Sequence, residues 1–204
     1  QVKRLFGRQN MNIRSEAEYR GIVFSDEIWD GRLLQRTVFE ACVFERCQFE
    51  AGQWKLCRFE QCRFQDCRLL NVKLSSARFH EVEFHRCKLA GLNFGHLDRT
   101  LLFAMRLTGC KLLACAFPRT DLRQCRLEDC ELDDCLFEEA DLRGLDLSGT
   151  AFGGSRFHRC NLEEVNMIGA RDFMLDPREN KLRGAHFSVD GALALLGCFG
   201  IILE

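Results

Sequence analysis

Residues 37–71 read TVFEA CVFER CQFEA GQWKL CRFEQ CRFQD CRLLN, a pattern of five residues that repeats seven times. A large apolar residue occupies the third place of every five, and Thr, Cys or Gly occupies the first. This period fits neither the 3.6 residues per turn of an α-helix nor the two-residue alternation of a β-strand. The chain is therefore expected to turn a corner every five residues, with one large and one small side chain pointing inward.

The period continues in both directions from this stretch. Large apolar residues recur every five positions from Phe24 to Phe94 and, after a slip of three residues, from Leu102 to Met167. All twenty-nine positions are apolar, whereas a 47% hydrophobic content would fill about fourteen by chance. Four sides of five residues make a coil of about twenty, and coils stack at ~4.8 Å. The sequence thus predicts an all-β, four-sided solenoid of about seven coils.

The cysteines follow the same period. Twelve of thirteen stand two places before a large apolar residue, and only Cys198 departs from this column. The C-x4-C spacings are a by-product of the period and not a zinc signature. Because buried Cys behaves as a small hydrophobe, we interpret the column as structural and predict no metal site and no cofactor.

The sequence does not point to an enzyme. It contains no G-x-S-x-G, P-loop, H-E-x-x-H or dinucleotide motif. The acidic residues fall at outward positions of a convex wall, where no cleft would favour acid–base chemistry. We therefore predict no catalytic residue. The five histidines share no motif and are predicted to be solvated: His80, His85, His96, His158 and His186. No 18-residue apolar run and no export signal are found, so we expect a cytoplasmic protein with reduced thiols.

We divide the chain into three parts. Residues 1–20 are expected to form an N-terminal segment or cap, within which Met11 is a candidate native start. Residues 21–170 form the β-helix, with a loop at 95–101 where the register slips. Residues 171–204 form a C-terminal cap and dimerisation segment. The loop is either a tolerated insertion or a contact site, since loops on rigid scaffolds often carry binding.

The C-terminal part carries turn and helix signals. Asp176 and Pro177 mark a turn, and residues 181–187 are predicted to be a last strand. Ser188 is a candidate N-cap with Asp190 in the first turn, and Gly197 or Gly200 ends the helix before a short strand at 201–203. This end is too apolar for a solvated lid. We predict a two-fold dimer through Leu193, Leu196, Phe199, Ile201, Ile202 and Leu203.

The repeat resembles the pentapeptide-repeat family, whose loose motif is small–polar–Leu/Phe–x–x. Residues 140–144 (ADLRG) and 130–134 (CELDD) carry it. The resemblance implies a right-handed quadrilateral β-helix. The tail LLGCFGIIL at 195–203 resembles the C-terminal segment of Qnr-type topoisomerase-protecting members, in which a helix and a strand join two rods end to end. The stretch LDPREN at 175–180 is similar to the microcin-immunity type.

This resemblance implies a function as a DNA mimic. Such a homodimer would bind DNA gyrase or topoisomerase IV and protect it from a poison, either a fluoroquinolone or a peptide antibiotic such as albicidin or microcin. It would bind no nucleic acid directly and no membrane. The alternative is a non-catalytic scaffolding repeat protein with a different protein partner.

The charge distribution bears on mimicry. Duplex DNA carries one charge per ~1.7 Å, whereas this chain has a net charge of only −1. Residues 98–167, however, hold nine basic and thirteen acidic residues. Nine acids around one coil face a single opposing charge in the sequence, Arg143, and are either a partner-binding surface or a solvated belt. The predicted partner-binding residues are Glu128, Asp129, Glu131, Asp133, Asp134, Glu138, Glu139, Asp141 and Asp146, with His96, Asp98 and Arg99 of the loop.

Overall fold

The computed structural model describes residues 13–98 and 104–201. Within them, short strands follow one another around a square coil, and each pairs in parallel with a strand one coil away. In chain order the strands are β1 (Glu18–Arg20), β2 (Val23–Ser25), β3 (Leu33–Gln35), β4 (Val38–Glu40), β5 (Val43–Glu45), β6 (Gln48–Glu50), β7 (Gln53–Lys55), β8 (Arg58–Glu60), β9 (Arg63–Gln65), β10 (Arg68–Leu70), β11 (Arg78–His85), β12 (Lys88–Ala90), β13 (Ala104–Thr108), β14 (Lys111–Leu113), β15 (Ala116–Pro118), β16 (Arg126–Glu128), β17 (Glu131–Asp133), β18 (Leu136–Glu138), β19 (Arg156–His158), β20 (Asn166–Met167), β21 (Met174–Leu175) and β22 (His186–Phe187).

The strands stack into four sides. Side 1 holds β1, β4, β8 and the first part of β11; side 2 holds β2, β5, β9, the rest of β11, β13, β16, β20 and β22; side 3 holds β6, β10, β12, β14 and β17; side 4 holds β3, β7, β15, β18, β19 and β21. Partners are twenty residues apart, as in Phe39 and Phe59. Across the slip the offset is 23, as in Leu89 and Leu112. The predicted four-sided β-helix and its three-residue slip are both confirmed.

The large apolar column fills the axis of the solenoid. On side 2 the rings of Phe24, Phe44, Phe64 and Phe84 stack at centroid distances of 5.1, 4.5 and 4.9 Å. On side 4 a second stack joins Phe94, Phe117, Phe137 and Phe157 at 4.7, 4.8 and 4.7 Å. Such offset stacking adds to the area that the rings bury. The core is therefore continuous along the described coils, because their large inward positions are filled by Phe, Trp, Leu or Met side chains.

The small column also satisfies backbone carbonyls at the corners. The Cys67 thiol donates to the Phe44 carbonyl at 3.2 Å, and Cys160 donates to that of Phe137 at 3.3 Å. A side chain with a short donor is favoured here because a buried carbonyl without a partner is costly. Burial raises the pKa of Cys125 to about 12, so this thiol stays protonated and unreactive.

Cys198 corrects the sequence-based view of the cysteines. Its position does not fit the five-residue count, yet its thiol donates to the Leu175 carbonyl at 3.3 Å across the same 23-residue offset. Cys198 therefore makes the same contact as the other cysteines of the small column, although it is out of step with them in the sequence. The reason is a shift of register nearby, where Leu175 pairs with Phe157 at an offset of eighteen residues.

The hydroxyl of Ser155 offers a test of whether hydrogen bonds from the small column stabilise the corners. It is fully buried, donates to the Leu132 carbonyl at 2.8 Å and accepts the Cys135 N–H at 2.9 Å. We expect Ser155→Ala to lower the free energy of unfolding by about 1–3 kcal/mol, since two buried backbone groups lose their partner. Urea denaturation measures this loss. The exposed Ser75→Ala is the control, expected within about 0.5 kcal/mol of wild type; equal effects would contradict the role.

The solenoid extends beyond the predicted 21–170 at both ends. Strand β1 pairs in register with β4, so the first coil begins before residue 21. At the other end, β22 pairs with β20 and Lys181 bridges to Asn161, both at the regular offset of twenty. The spacing between successive large residues is seven from Leu175 to Leu182 instead of five. These two extra residues compensate for the offset of eighteen, so the regular offset of twenty returns. The solenoid therefore continues for about one coil past Met167, where the strict five-residue count ends in the sequence.

The predicted strand at 181–187 is wrong as a single element. Lys181 forms a bridge on side 1, whereas β22 lies on side 2. The corner between them falls at Gly184, whose φ of +71° is in the left-handed region. Leu182 and Phe187 are five residues apart and are simply the next two large positions of the repeat.

The predicted helix is confirmed as α1 (Val189–Leu196). The Ser188 hydroxyl accepts the Gly191 N–H at 3.3 Å as an N-cap, and Asp190 lies in the first turn. A 3₁₀ turn (Gly197–Phe199) follows and ends at Gly200, with φ +69°. Ile201 lies in no strand, and residues 202–203 of the predicted strand are outside the described residues. In the described part of the chain, no helix has the length and apolarity needed to cross a membrane.

Candidate partner-binding surface

The nine predicted acidic residues lie within about one coil of the wall, on sides 2, 3, 4 and 1 in turn. All point outward, and every one except the half-buried Asp141 is exposed. They therefore surround the rod and do not line one face of it. Their backbone positions follow from the repeat, because every place other than the two inward columns faces solvent.

The structure corrects the count of opposing charges. Residues twenty apart stack on neighbouring coils, so cations from the preceding coil reach the belt. Lys111 Nζ is 2.8 Å from Glu131 Oε2, and Arg119 Nε is 2.7 Å from Glu139 Oε2. Asp141 contacts both Arg123 and Arg143, at 3.5 and 2.6 Å. Three of the nine carboxylates are thus neutralised locally, and Arg143 is not the single opposing charge.

These pairs also keep their acids ionised. Hydrogen bonding from Arg119 lowers the pKa of Glu139, and that from Arg143 lowers the pKa of Asp141. Asp146 is held differently: it accepts the Ser148 N–H and an Asn166 amide, both at 3.0 Å. Four of the nine acids therefore bind other residues of the wall: Glu131, Glu139, Asp141 and Asp146.

Five acids have no ion pair among the described residues, and we call them the open acidic belt. They run from the end of β16, across side 3 and its following corner, to the end of β18. They are Glu128, Asp129, Asp133, Asp134 and Glu138. The belt is narrower than predicted, and its charge is available to a partner.

The loop residues divide into described and undescribed ones. His96 is exposed at the end of a 3₁₀ turn (Phe94–His96). Asp98 is half-buried, and its carboxylate accepts from Arg78 Nη2 at 2.5 Å, one coil below. Asp98 therefore forms an ion pair with the neighbouring coil at the start of the insertion. Arg99 and the rest of the loop at 99–101 lie outside the described residues, and a contact role for the loop stays a prediction.

The C-terminal segment presents exposed apolar side chains. Leu193, Phe199 and Ile201 are 40, 52 and 49% exposed, and Val189, which the sequence analysis missed, is 77% exposed. We call these four residues the C-terminal apolar patch. Leu196 is half-buried, and Ile202 and Leu203 lie outside the described residues. Beside the patch is a groove of about 610 Å³ whose apolar lining includes Leu136, Phe157, Met174, Leu175 and Ala194.

The repeat geometry agrees with a known family pattern. The pattern for a pentapeptide repeat region matches residues 37–104 and 100–171. The chain belongs to the pentapeptide-repeat family. Membership accounts for the five-residue period, the four sides and the two inward columns together. Across residues 13–98 and 104–201, no group of three His, Cys, Asp or Glu side chains is arranged to hold a metal ion.

Two solved pentapeptide-repeat structures are similar to the chain. Full-length QnrB1, described as a plasmid-mediated fluoroquinolone resistance protein, is 20% identical, with 90% of this chain and 100% of that one covered and a TM-score of 0.39. HetL from the cyanobacterium Nostoc sp. strain PCC 7120, described as involved in heterocyst differentiation regulation, is 15% identical, with 82% and 85% covered and a TM-score of 0.46. At these values neither supports an inference about function. No curated protein sequence matches the chain.

Proposed function

We propose that this pentapeptide-repeat protein binds a bacterial type II topoisomerase, DNA gyrase or topoisomerase IV, and protects it from a poison. The open acidic belt carries the proposal. Five exposed carboxylates without an ion pair among the described residues lie on a stiff rod, where they can meet a basic surface that normally holds DNA. Charge of this kind speeds the encounter and selects a partner of opposite sign more than it adds affinity.

The position of the belt relative to the C-terminus supports the proposal. The belt occupies residues 128–138, about two coils before the C-terminal apolar patch. Two copies joined at that patch would place their belts on either side of the dimer centre. About eight coils at ~4.8 Å give each copy a length of roughly 40 Å. The dimer would therefore present acidic charge over a length comparable to a protein-bound DNA segment.

The direct test is a gyrase supercoiling assay with a panel of poisons: a fluoroquinolone, albicidin and a microcin. We expect the protein to restore supercoiling in the presence of at least one of them. A parallel decatenation assay with topoisomerase IV identifies the preferred enzyme. Absence of protection in every arm would contradict the proposal and favour a scaffolding protein with another partner.

A charge reversal tests the belt itself. We expect Asp134→Lys with Glu138→Lys to weaken gyrase binding about tenfold or more, because two steering charges change sign. The matched control is Glu50→Lys with Glu164→Lys, which reverses two exposed acids that likewise have no ion pair among the described residues. Binding is measured in a pull-down titrated with salt. Equal weakening by both double variants would remove the belt from the mechanism.

A further inference from the structure

A second surface lies along the edge between sides 1 and 2. It is an open groove of about 570 Å³ that crosses five successive coils. The four spacings of ~4.8 Å between these five coils give it a length of about 19 Å. The side chains that line it include Gln61, Arg63, Glu81, Glu83, Arg106, Gln124 and Arg126. Neither the function proposed above nor the sequence analysis uses this groove.

The charges within the groove are unequally matched. Arg63 pairs with Glu83 at 2.9 Å, and Glu81 accepts from the Gln61 amide at 2.9 Å. Arg106 and Arg126 are exposed and have no ion pair among the described residues. They are direct register partners in β13 and β16. Two guanidinium groups therefore stand on neighbouring strands with no carboxylate assigned to either.

Several arginines elsewhere on the wall are paired with a carboxylate one coil away. Arg46 and Arg86 each form two hydrogen bonds with an aspartate one coil away, at 2.7 and 2.8 Å, and Arg119 pairs with Glu139. Like charges directly opposite each other on paired strands are destabilising. Arg68 and Lys88 on side 3 also stack without an ion pair among the described residues, but Arg106 and Arg126 line a concave part of the surface, where a bound molecule can supply the counter-charge.

We propose that this groove binds an extended acidic segment of a partner protein, with its carboxylates paired to Arg106 and Arg126. A 19 Å groove accommodates about six residues of extended chain. Among the described residues, the lining contains no aromatic side chain on which a nucleic-acid base could stack. Bidentate pairing with a carboxylate repeats what arginines already do on this wall.

Fluorescence anisotropy tests the proposal with a labelled eight-residue peptide of alternating Glu and Ala. We expect it to bind the full chain with an affinity that falls as salt rises, and the Gln–Ala peptide to bind at least about tenfold more weakly. Arg106→Gln with Arg126→Gln is expected to reduce affinity for the acidic peptide by about tenfold or more. Both residues are exposed, so the fold should be retained, which circular dichroism checks.

The matched control is Arg68→Gln with Lys88→Gln. These residues are also exposed register partners on adjacent coils, but they lie on side 3 outside the groove. Their removal subtracts the same charge, and we expect a loss of less than about threefold. Equal losses from the two double variants, or tighter binding of octathymidylate or triphosphate than of the peptide, would overturn the proposal. An undetectable interaction with the peptide would overturn it as well.

Discussion

Replacing Phe64 with alanine is expected to lower the free energy of unfolding by about 3–5 kcal/mol. Phe64 is fully buried, and its ring stacks between Phe44 at 4.5 Å and Phe84 at 4.9 Å. Its removal leaves a cavity that the rigid, hydrogen-bonded corners cannot close. Because each coil contacts only its neighbours, the lost packing energy is confined to the coil of Phe64 and the two coils beside it. Urea denaturation followed by circular dichroism measures it.

The control is Phe64→Leu. The same column of side 2 carries Leu107, Leu127 and Leu147 in later coils, so the wall already accepts leucine at this position. We expect a loss of less than about 1.5 kcal/mol from this substitution. A cost below about 1 kcal/mol for Phe64→Ala would show that the axis collapses around the missing ring and that the stack is not rigid.

The fold was predictable because its signal is one-dimensional. A period of five needs no knowledge of distant contacts, and it fixed the two inward columns, the four sides and the three-residue slip. The helix was predictable from a local cap, since Ser188 and Asp190 stand where the first turn needs them. The terminal coil was missed because Leu175 comes two residues early, and a strict count of five then fails.

The candidate site was predicted less well, because its chemistry depends on the distance between coils. The nine acids were identified, but counting charges along the chain missed Lys111 and Arg119, which pair with Glu131 and Glu139. The signal was present in the sequence as an offset of twenty, the length of one coil. The arginine groove had no comparable signal, since its concave shape comes from the local geometry of an edge.

Replacing Phe199 with aspartate is expected to convert a dimer into monomers. The ring is 52% exposed, and the Arg178 guanidinium lies 5.4 Å from its centroid. Arg178 is held in turn by Asp176, whose pKa it lowers to about 2, so the pair stays ionised near neutral pH. The exposed ring therefore has a fixed neighbour, as an anchor of an interface would have.

Burying an aspartate without a partner at such an anchor should cost about 2–4 kcal/mol of association energy, or ~30- to 1,000-fold in Kd. Sedimentation velocity across a range of concentrations measures the change. The control is Ile28→Asp, which places the same charge on a 63% exposed apolar residue at the opposite end of the rod and should leave the dimer intact. A monomeric wild type would reject the dimer itself, whereas a dimeric Phe199→Asp variant would show that association uses another surface. The acidic belts act as a pair only if two rods are joined at this end, so the oligomeric state decides whether the charge pattern can span a DNA-binding surface.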